Sequence, residues 1–305
     1  MTQDSPDLRN LLCKLLPGLS IESVASPSGQ RVVYYAKFVD RAPVTRINWG
    51  SVVVKVAEQL NARQIAYLQK EVSILKSLRS RFYPKLRHDE AFSHHPETGD
   101  PLPYLIFVSI EERIDALPLT QCRSLFSTED KASKLLLNLI DGLDILWSRP
   151  EKIVHRDLKP ANILIRQDES VVIIDLGIVR EEGTAGITDD YAPWGPCTPP
   201  YASPEQANND KNNISFRSDF FSLGTIEYEL IAGFNPYQSN NDSREDILNK
   251  VRSLVPKTLY ECGLTAMSFS DIIEVLMKKH PFERYRTVSR FRQALVDYRE
   301  ASYGG

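Results

Sequence analysis

The chain has 305 residues, of which 42% are hydrophobic and 25% charged, a balance typical of a globular protein with room for one or two hydrophobic cores. The formal net charge of −3 gives no bulk electrostatic reason to expect a nucleic acid or a membrane surface as partner, and no apolar run approaches the ~20 residues of a membrane-spanning helix. The four cysteines are far apart and lack C-x-x-C spacing, which argues against a disulfide framework or a zinc site and favours a reducing, cytoplasmic location.

The first predicted element is an N-terminal extension, residues 1–18, that contains a short helix. Leucines recur along one side of this helix, and Pro17 followed by Gly18 predicts its end. The leucines are Leu8, Leu11, Leu12, Leu15 and Leu16. An apolar stripe on a short helix usually faces a core. We therefore expect this helix to pack on the body of the protein, with a partner-binding surface as the alternative.

Several strands are predicted after the extension. Residues 19–25 and 31–39 indicate a hairpin, because turn-forming residues separate two runs rich in β-branched and aromatic side chains. Residues 51–56 form a compact β-branched run that predicts a third strand. Residues 79–99 are polar and predict an exposed connection, and residues 104–108 predict a buried strand.

A helix is predicted over residues 61–78, where apolar residues recur at the three- and four-residue spacing of one face. Glu71 lies on this apolar face between Leu68 and Leu75. An unpaired carboxylate there would be costly to bury. Lys55, inside the preceding strand, also needs a polar partner or a path to water. We therefore expect an ion pair between Lys55 and Glu71; the alternative is that Glu71 reaches solvent at the edge of the stripe.

The most informative stretch is polar and follows a long predicted helix. It reads His155-Arg156-Asp157-Leu158-Lys159-Pro160-Ala161-Asn162. Residues 163–165 and 171–174 then predict two short strands, and Asp175 follows the second. A hairpin of these strands would bring Asn162 and Asp175 together. Such a loop can arrange an acid, a base and an amide around one reacting centre.

This stretch resembles the catalytic loop of the Hanks-type, or eukaryotic-type, serine/threonine protein kinases, H-R-D-L-x-x-x-N followed by D-F-G. The resemblance implies an α+β, bilobal protein-kinase fold. Residues 19–108 would form a small β-rich N-lobe with one main helix, residues 109–300 a larger and mostly helical C-lobe, and residues 301–305 a tail. The run Tyr-Ala-Ser-Pro-Glu-Gln at residues 201–206 indicates a bacterial or phage member.

The resemblance also implies roles for the catalytic residues in a transfer of phosphate from ATP. Asp157 would accept or orient the proton of the substrate hydroxyl, and Lys159 would neutralise charge on the moving phosphoryl group. Thr198 together with Lys159 is the family's serine/threonine-type combination. Asn162 and Asp175 would hold Mg²⁺, because oxygen ligands suit this hard cation.

The resemblance also implies a nucleotide-binding site, with one departure from the family pattern. The residues placed at the nucleotide are Lys55, Glu71, Ser28, Gly29, Asn162 and Asp175, and residues 107–110 would neighbour the adenine. The family's turn over the phosphates is G-x-G-x-x-G, whereas residues 26–31 contain one glycine and a proline that has no N–H to donate. Arg31 could offer further donors to phosphate there.

Two acids are expected to support the fold rather than the chemistry. Glu205, in a run that resembles A-P-E, should form a buried pair with Arg284, since a carboxylate buried alone is strongly destabilising. Asp219 should brace the backbone of the catalytic loop, as its counterpart does in the family. Thr184, Thr188 and Tyr191 are candidate phosphorylation sites, for which Arg156 would be the phosphate-binding residue.

The expected function is therefore that of an ATP- and Mg²⁺-dependent protein kinase that phosphorylates serine and threonine hydroxyls of protein substrates, including its own. A homodimer would serve phosphorylation in trans. Two alternatives remain open: a catalytically silent pseudokinase scaffold, which the glycine-poor turn favours, and a small-molecule phosphotransferase on a related fold.

Overall fold

The computed structural model describes residues 3–25, 31–39, 42–176, 180–181 and 197–304. The chain divides into two compact units, Met1–Asp115 and Ala116–Gly305. The first unit is built around a β-sheet and the second is mostly helical. This division matches the two lobes that the kinase resemblance implies.

The first unit contains an antiparallel sheet of five strands in the order β1-β2-β3-β5-β4. The strands are β1 (Leu19–Val24), β2 (Val32–Phe38), β3 (Ser51–Glu58), β4 (Leu86–His94) and β5 (Pro101–Glu112). The helices of this unit are α1 (Pro6–Leu15), the single turn α2 (Val44–Ile47) and α3 (Ala62–Ser77). The predicted hairpin, third strand and long helix are confirmed within a few residues at each end.

The N-terminal helix α1 packs on the sheet, as its leucine stripe predicts. Ser5 caps the helix by accepting a hydrogen bond from the backbone N–H of Leu8 at 3.1 Å, and Pro6 occupies the first turn, where its missing N–H costs nothing. Leu8, Leu12 and neighbouring leucines share one buried cluster with alternate residues of the central strands. The strand residues of this cluster include Tyr34, Ala36, Val52, Val54, Ile106, Val108 and Ile110.

Helix α3 begins at a complete capping box. The side chain of Asn61 accepts from the backbone N–H of Gln64, and the side chain of Gln64 accepts from the backbone N–H of Asn61, each at 2.9 Å. The two bonds satisfy donors that have no partner inside the helix. This fixed start sets the rotation of the helix and so the direction in which Glu71, nearly three turns further on, projects.

Two sequence predictions for this unit are wrong. The supposed connection of residues 79–99 contains β4, an edge strand whose one neighbour in the described sheet is β5 and in which only Phe92 is buried. Its exposed polar side chains hide it from a search for apolar alternation. Strand β5 also continues to Glu112, past the predicted lobe boundary between residues 108 and 109, and the two units divide after Asp115.

The second unit combines short strands with longer helices. The strands are β6 (Leu117–Pro118), β7 (Ile153–Val154), β8 (Ile163–Ile165), β9 (Val171–Ile173) and β10 (Arg180–Glu181). The helices are α4 (Leu119–Cys122), α5 (Glu129–Trp147), α6 (Pro204–Ala207), α7 (Phe216–Ala232), α8 (Arg244–Ser253), α9 (Met267–Leu276) and α10 (Val288–Tyr303).

Helix α7 is the core of the second unit. Phe220 and Phe221 near its start are fully buried, and the ring of Phe220 contacts those of Trp147 on α5 and Phe291 on α10. The helix ends at Gly233, which adopts φ +79°, a backbone conformation that glycine enters without steric cost. Because α7 is so deeply packed, a side chain anchored on it can hold neighbouring loops in place.

No helix in the described part of the chain is both long and apolar enough to cross a lipid bilayer.

Candidate active site

A β-hairpin in the second unit places Asn162 beside Asp175. Strands β8 and β9 pair antiparallel with Ile163 opposite Ile173, and the backbone N–H of Ile174 donates to the carbonyl oxygen of Asn162 at 3.0 Å. Asn162 therefore precedes one strand at the point where Asp175 follows the other. The predicted hairpin is confirmed, and it brings together the two residues to which Mg²⁺ binding was assigned.

Asp157 lies at the centre of a closed set of hydrogen bonds. Lys159 donates from Nζ to Asp157 Oδ2 at 2.7 Å, and Thr198 donates from Oγ1 to Asp157 Oδ1 at 2.6 Å. Lys159 Nζ also donates to Thr198 Oγ1 at 2.9 Å, which closes the triangle. The side chains of Asp157 and Lys159 are 14% and 25% exposed, so the carboxylate and the ammonium group remain accessible to a substrate.

Asn162 is oriented by the same aspartate. Its Nδ2 atom donates to the carbonyl oxygen of Asp157 at 2.9 Å and to Asp157 Oδ2 at 3.2 Å. With the amide nitrogen held in this way, Oδ1 remains as the atom that can accept from a ligand or bind a cation. The amide cannot turn over without losing both bonds.

The donor set at this position fits Mg²⁺. Asn162 offers an amide oxygen and Asp175 a carboxylate, both hard oxygen ligands. Within the described ranges no group of three or more His, Cys, Asp and Glu residues could hold a metal by itself. Mg²⁺ in phosphoryl-transfer sites takes only one or two protein carboxylates, with phosphate and water oxygens completing its shell. Asn162 and Asp175 therefore suit a cation that arrives with a nucleotide.

Asp219 holds the backbone that leads into this loop. Its carboxylate accepts from the backbone N–H groups of His155 and Arg156, each at 2.9 Å, and from Trp147 Nε1 at 2.8 Å. Complete burial raises the pKa of Asp219, and the neighbouring imidazole and the three N–H donors oppose that rise. Arg156 adopts φ +71°, a backbone angle that is unfavourable for any residue with a Cβ atom, and these bonds help to maintain it. The predicted bracing role is confirmed.

The predicted pair of Glu205 and Arg284 is also confirmed. Arg284 donates from Nη1 to Glu205 Oε1 at 2.7 Å and from Nη2 to Oε2 at 3.0 Å. Ser218 on α7 donates from Oγ to Glu205 Oε1 at 2.7 Å. The two charges therefore meet in parallel geometry, the arrangement in which a buried pair is best compensated. This pair ties the segment after Thr198 to the helical core.

In the first unit the predicted pair of Lys55 and Glu71 is wrong. Lys55 Nζ lies 2.7 Å from Glu111 Oε1 on β5, whereas both oxygens of Glu71 accept from Arg31 Nη1, at 3.0 and 2.8 Å. Sequence reasoning identified Glu71 correctly as a buried acid in need of a base and missed Glu111. The signal was available, since Ser109 and Glu111 are polar residues at alternate positions of a buried strand.

The remaining site predictions concern the nucleotide phosphates, the phosphorylation sites and the adenine. Ser28 and Gly29, assigned to the phosphates, lie outside the described residues, as do Thr184, Thr188 and Tyr191. Residues 107–110, assigned as neighbours of the adenine, lie inside β5 between β3 and β4, and their contact with a nucleotide stays a prediction. The segment that joins the two units begins after Glu112.

A sheet-based unit, a helical unit and a loop built around Asp157, Lys159 and Asn162 define the class of protein serine/threonine kinases. Comparison with known proteins agrees: the model of the protein kinase domain family matches residues 45–295, and the chain belongs to this family. The prediction of a Hanks-type kinase is thereby confirmed.

Two similar curated proteins come from bacteria. The chain is 30% identical over 237 residues to serine/threonine-protein kinase PknB of Mycobacterium tuberculosis, which covers 70% of this chain and 36% of that protein. It is 27% identical over 257 residues to probable serine/threonine-protein kinase PknB of Corynebacterium glutamicum, which covers 78% of this chain and 38% of that protein. The chain thus spans little more than a third of the length of these relatives.

Proposed function

We propose that this protein transfers the γ-phosphoryl group of ATP, with Mg²⁺, to serine and threonine hydroxyls of protein substrates, and that its own chain is one of them. The observation that carries the proposal is the triangle of Asp157, Lys159 and Thr198 beside the oxygen ligands of Asn162. It combines a proton acceptor, a fixed positive charge and a cation site in one loop.

The hydroxyl of Thr198 indicates how an acceptor would bind. Thr198 Oγ1 donates to Asp157 Oδ1 and accepts from Lys159 Nζ. A substrate hydroxyl that approaches Asp157 can donate to the same carboxylate in the same manner. Asp157 would orient that hydroxyl and take its proton, while Lys159 would lie next to the oxygen that attacks and neutralise charge on the transferred group.

Three residues are assigned to the nucleotide and its cation. Asn162 and Asp175 would supply oxygen ligands for Mg²⁺, and Lys55 would offer a positive charge to the α- and β-phosphates. Bound Mg²⁺ would neutralise the charge that develops between the phosphates. The role of Ser28 and Gly29 over the phosphates stays a prediction. So do the cytoplasmic location, inferred from the separated cysteines, and a homodimer for phosphorylation in trans.

A protein acceptor is favoured over a small molecule by the segment that follows Thr198. Pro204, Glu205 and the rest of α6 are buried, and the ion pair with Arg284 fixes the segment to the core. The kinases to which this chain is similar are described as serine/threonine-protein kinases. In the kinase family this segment supports a polypeptide substrate, so its attachment to the core favours a protein acceptor over a sugar.

The test is transfer of label from γ-labelled ATP with Mg²⁺, offered to a generic protein acceptor and to a panel of sugars and aminoglycosides. We expect label on serine and threonine of the protein acceptor and of the enzyme. Asp175→Asn should abolish it, and the matched control Asp168→Asn, an exposed aspartate of the same hairpin, should not. Label on the small molecules alone would identify a small-molecule phosphotransferase, and ATP binding without any transfer would identify a pseudokinase.

A further inference from the structure

The first unit contains two buried ion pairs. Lys55 pairs with Glu111 at 2.7 Å, and Arg31 pairs with Glu71 at 2.8 Å. The exposed fractions of the four residues lie between 4% and 7%. Each acid therefore has its own base, and the four charges sum to zero.

The geometry of the sheet explains why Lys55 meets Glu111. Lys55 on β3 lies directly opposite Ser109 on β5, and Glu111 is two residues further along that strand. Side chains two residues apart project from the same face of a sheet, and a long side chain reaches its diagonal neighbour. Both partners thus belong to one rigid sheet and do not depend on the position of a helix.

Glu71 is occupied by a different base. It projects from α3, and both of its oxygens accept from Arg31 Nη1 just before β2 begins. If Lys55 turned from Glu111 to Glu71, Glu111 would remain buried without a counter-charge, which is far costlier than either pair as observed. The presence of a second buried acid and a second buried base therefore favours the observed pairing over the pairing that the kinase motif predicts.

We propose that Glu111 is the residue that positions Lys55 for the nucleotide phosphates, and that Glu71 and Arg31 instead fasten α3 to the sheet. This inference rests on the proposed function, because it assumes that Lys55 binds phosphate. Glu111 acts here as a positioning residue, since it acts through Lys55. The consequence is that the orientation of this lysine is fixed by the sheet itself, whatever the position of α3.

The experiment compares kcat and KM for ATP in Glu111→Gln, Glu71→Gln and Lys55→Met. Glu111→Gln should lower kcat/KM by up to about 10²-fold, the size of effect that displacement of a positioned group produces. Glu71→Gln should lower kcat/KM at least ten times less, by no more than about 10-fold. The double variant Lys55→Met/Glu111→Gln should be no slower than Lys55→Met alone, because Glu111 acts only through that lysine.

Glu111→Gln leaves a buried ammonium group without its counter-charge and could therefore lower the stability of the protein as well as its activity. A separate control measures this effect on stability. The melting temperature of each variant is measured, and Lys55→Met/Glu111→Met, which removes both charges, should restore it. Binding of a fluorescent ATP analogue gives a second readout, in which Glu111→Gln and Lys55→Met should weaken affinity alike.

The outcomes separate this inference from the proposed function. If Glu71→Gln causes the larger loss and its effect vanishes in the Lys55→Met background, the inference is overturned while transfer by the unmodified protein still supports a kinase. If the unmodified protein binds the analogue without transferring phosphate, the proposed function fails and the binding comparison still decides the role of Glu111. If it neither binds nor transfers, both are overturned.

Discussion

Glu205 and Arg284 form an ion pair that is closed to solvent, with the Arg284 side chain 0% and the Glu205 side chain 3% exposed. Arg284→Met should lower the free energy of unfolding by about 3–5 kcal/mol, because it strands a buried carboxylate. Urea unfolding measures the change. The control Arg292→Met, in a half-exposed pair with Asp141, should cost about 0–1 kcal/mol. Equal losses in the two variants would contradict the assigned importance of the buried pair.

The extension helix α1 should contribute to stability through its leucine stripe. Leu12 is fully buried against the sheet, so Leu12→Ala should lower the free energy of unfolding by about 2–5 kcal/mol. Lys14 lies on the exposed side of the same helix, and Lys14→Ala should stay within about 0.5 kcal/mol of the unmodified protein. A Leu12→Ala protein as stable as the control would show that α1 does not pack on the sheet in solution.

Asp219 should affect catalysis without touching the substrate. In Asp219→Asn an NH₂ group replaces one carboxylate oxygen. At least one backbone N–H that donates to Asp219 would then face another donor, so the loop before Asp157 should shift. We expect a loss of stability of about 1–3 kcal/mol and a fall in kcat of up to about 10²-fold. The control is Thr225→Val on the same helix, because the buried Thr225 hydroxyl bonds only within α7. The bracing role fails if kcat is equally affected in both variants.

Glu227 on α7 should make stability depend on pH. It is fully buried, and neither carboxyl oxygen has a hydrogen-bond partner in the described part of the chain. Burial raises the pKa of Glu227 well above its ordinary value of 4.5. Above about pH 4.5 the unfolded chain loses this proton while the folded chain keeps it, so stability falls as pH rises toward the folded pKa.

Glu227→Gln removes this proton and should remove the corresponding slope. The measurement is the free energy of unfolding between about pH 5 and pH 8, which should fall in the unmodified protein relative to Glu227→Gln. Glu300→Gln, at an exposed position of α10, should keep the slope of the unmodified protein. Parallel curves for all three proteins would mean that Glu227 is ionised in the folded state.

The catalytic loop could be predicted from sequence because its residues are close along the chain. Asp157, Lys159 and Asn162 fall within one loop, and the short apolar runs after it fix the hairpin that brings Asp175 back. The pair of Glu205 and Arg284 followed from burial, since only one arginine stood in the matching motif. In these places local spacing and the cost of buried charge give the same answer.

The partner of Glu71 and the extent of β5 depend on contacts between residues that are far apart in the sequence, and residue spacing does not reveal such contacts. A buried acid on α3 indicates that a base is near, but not whether Lys55 or Arg31 is that base. Strand β5 was predicted too short because Ser109 and Glu111 interrupt its apolar run, although both are buried. Both side chains lie on the face of the sheet that carries Lys55, so the interruption of the apolar run does not mark the end of the strand.

The central claim is that Asp157 orients and deprotonates the hydroxyl that attacks the phosphate. The most direct test is kcat for phosphorylation of a protein acceptor by Asp157→Asn at saturating ATP and Mg²⁺, with ATP affinity measured alongside. We predict a fall in kcat on the order of 10²–10⁴ with ATP affinity nearly unchanged, the scale of a positioned acid–base group. A kcat equal to that of the unmodified protein would contradict the account.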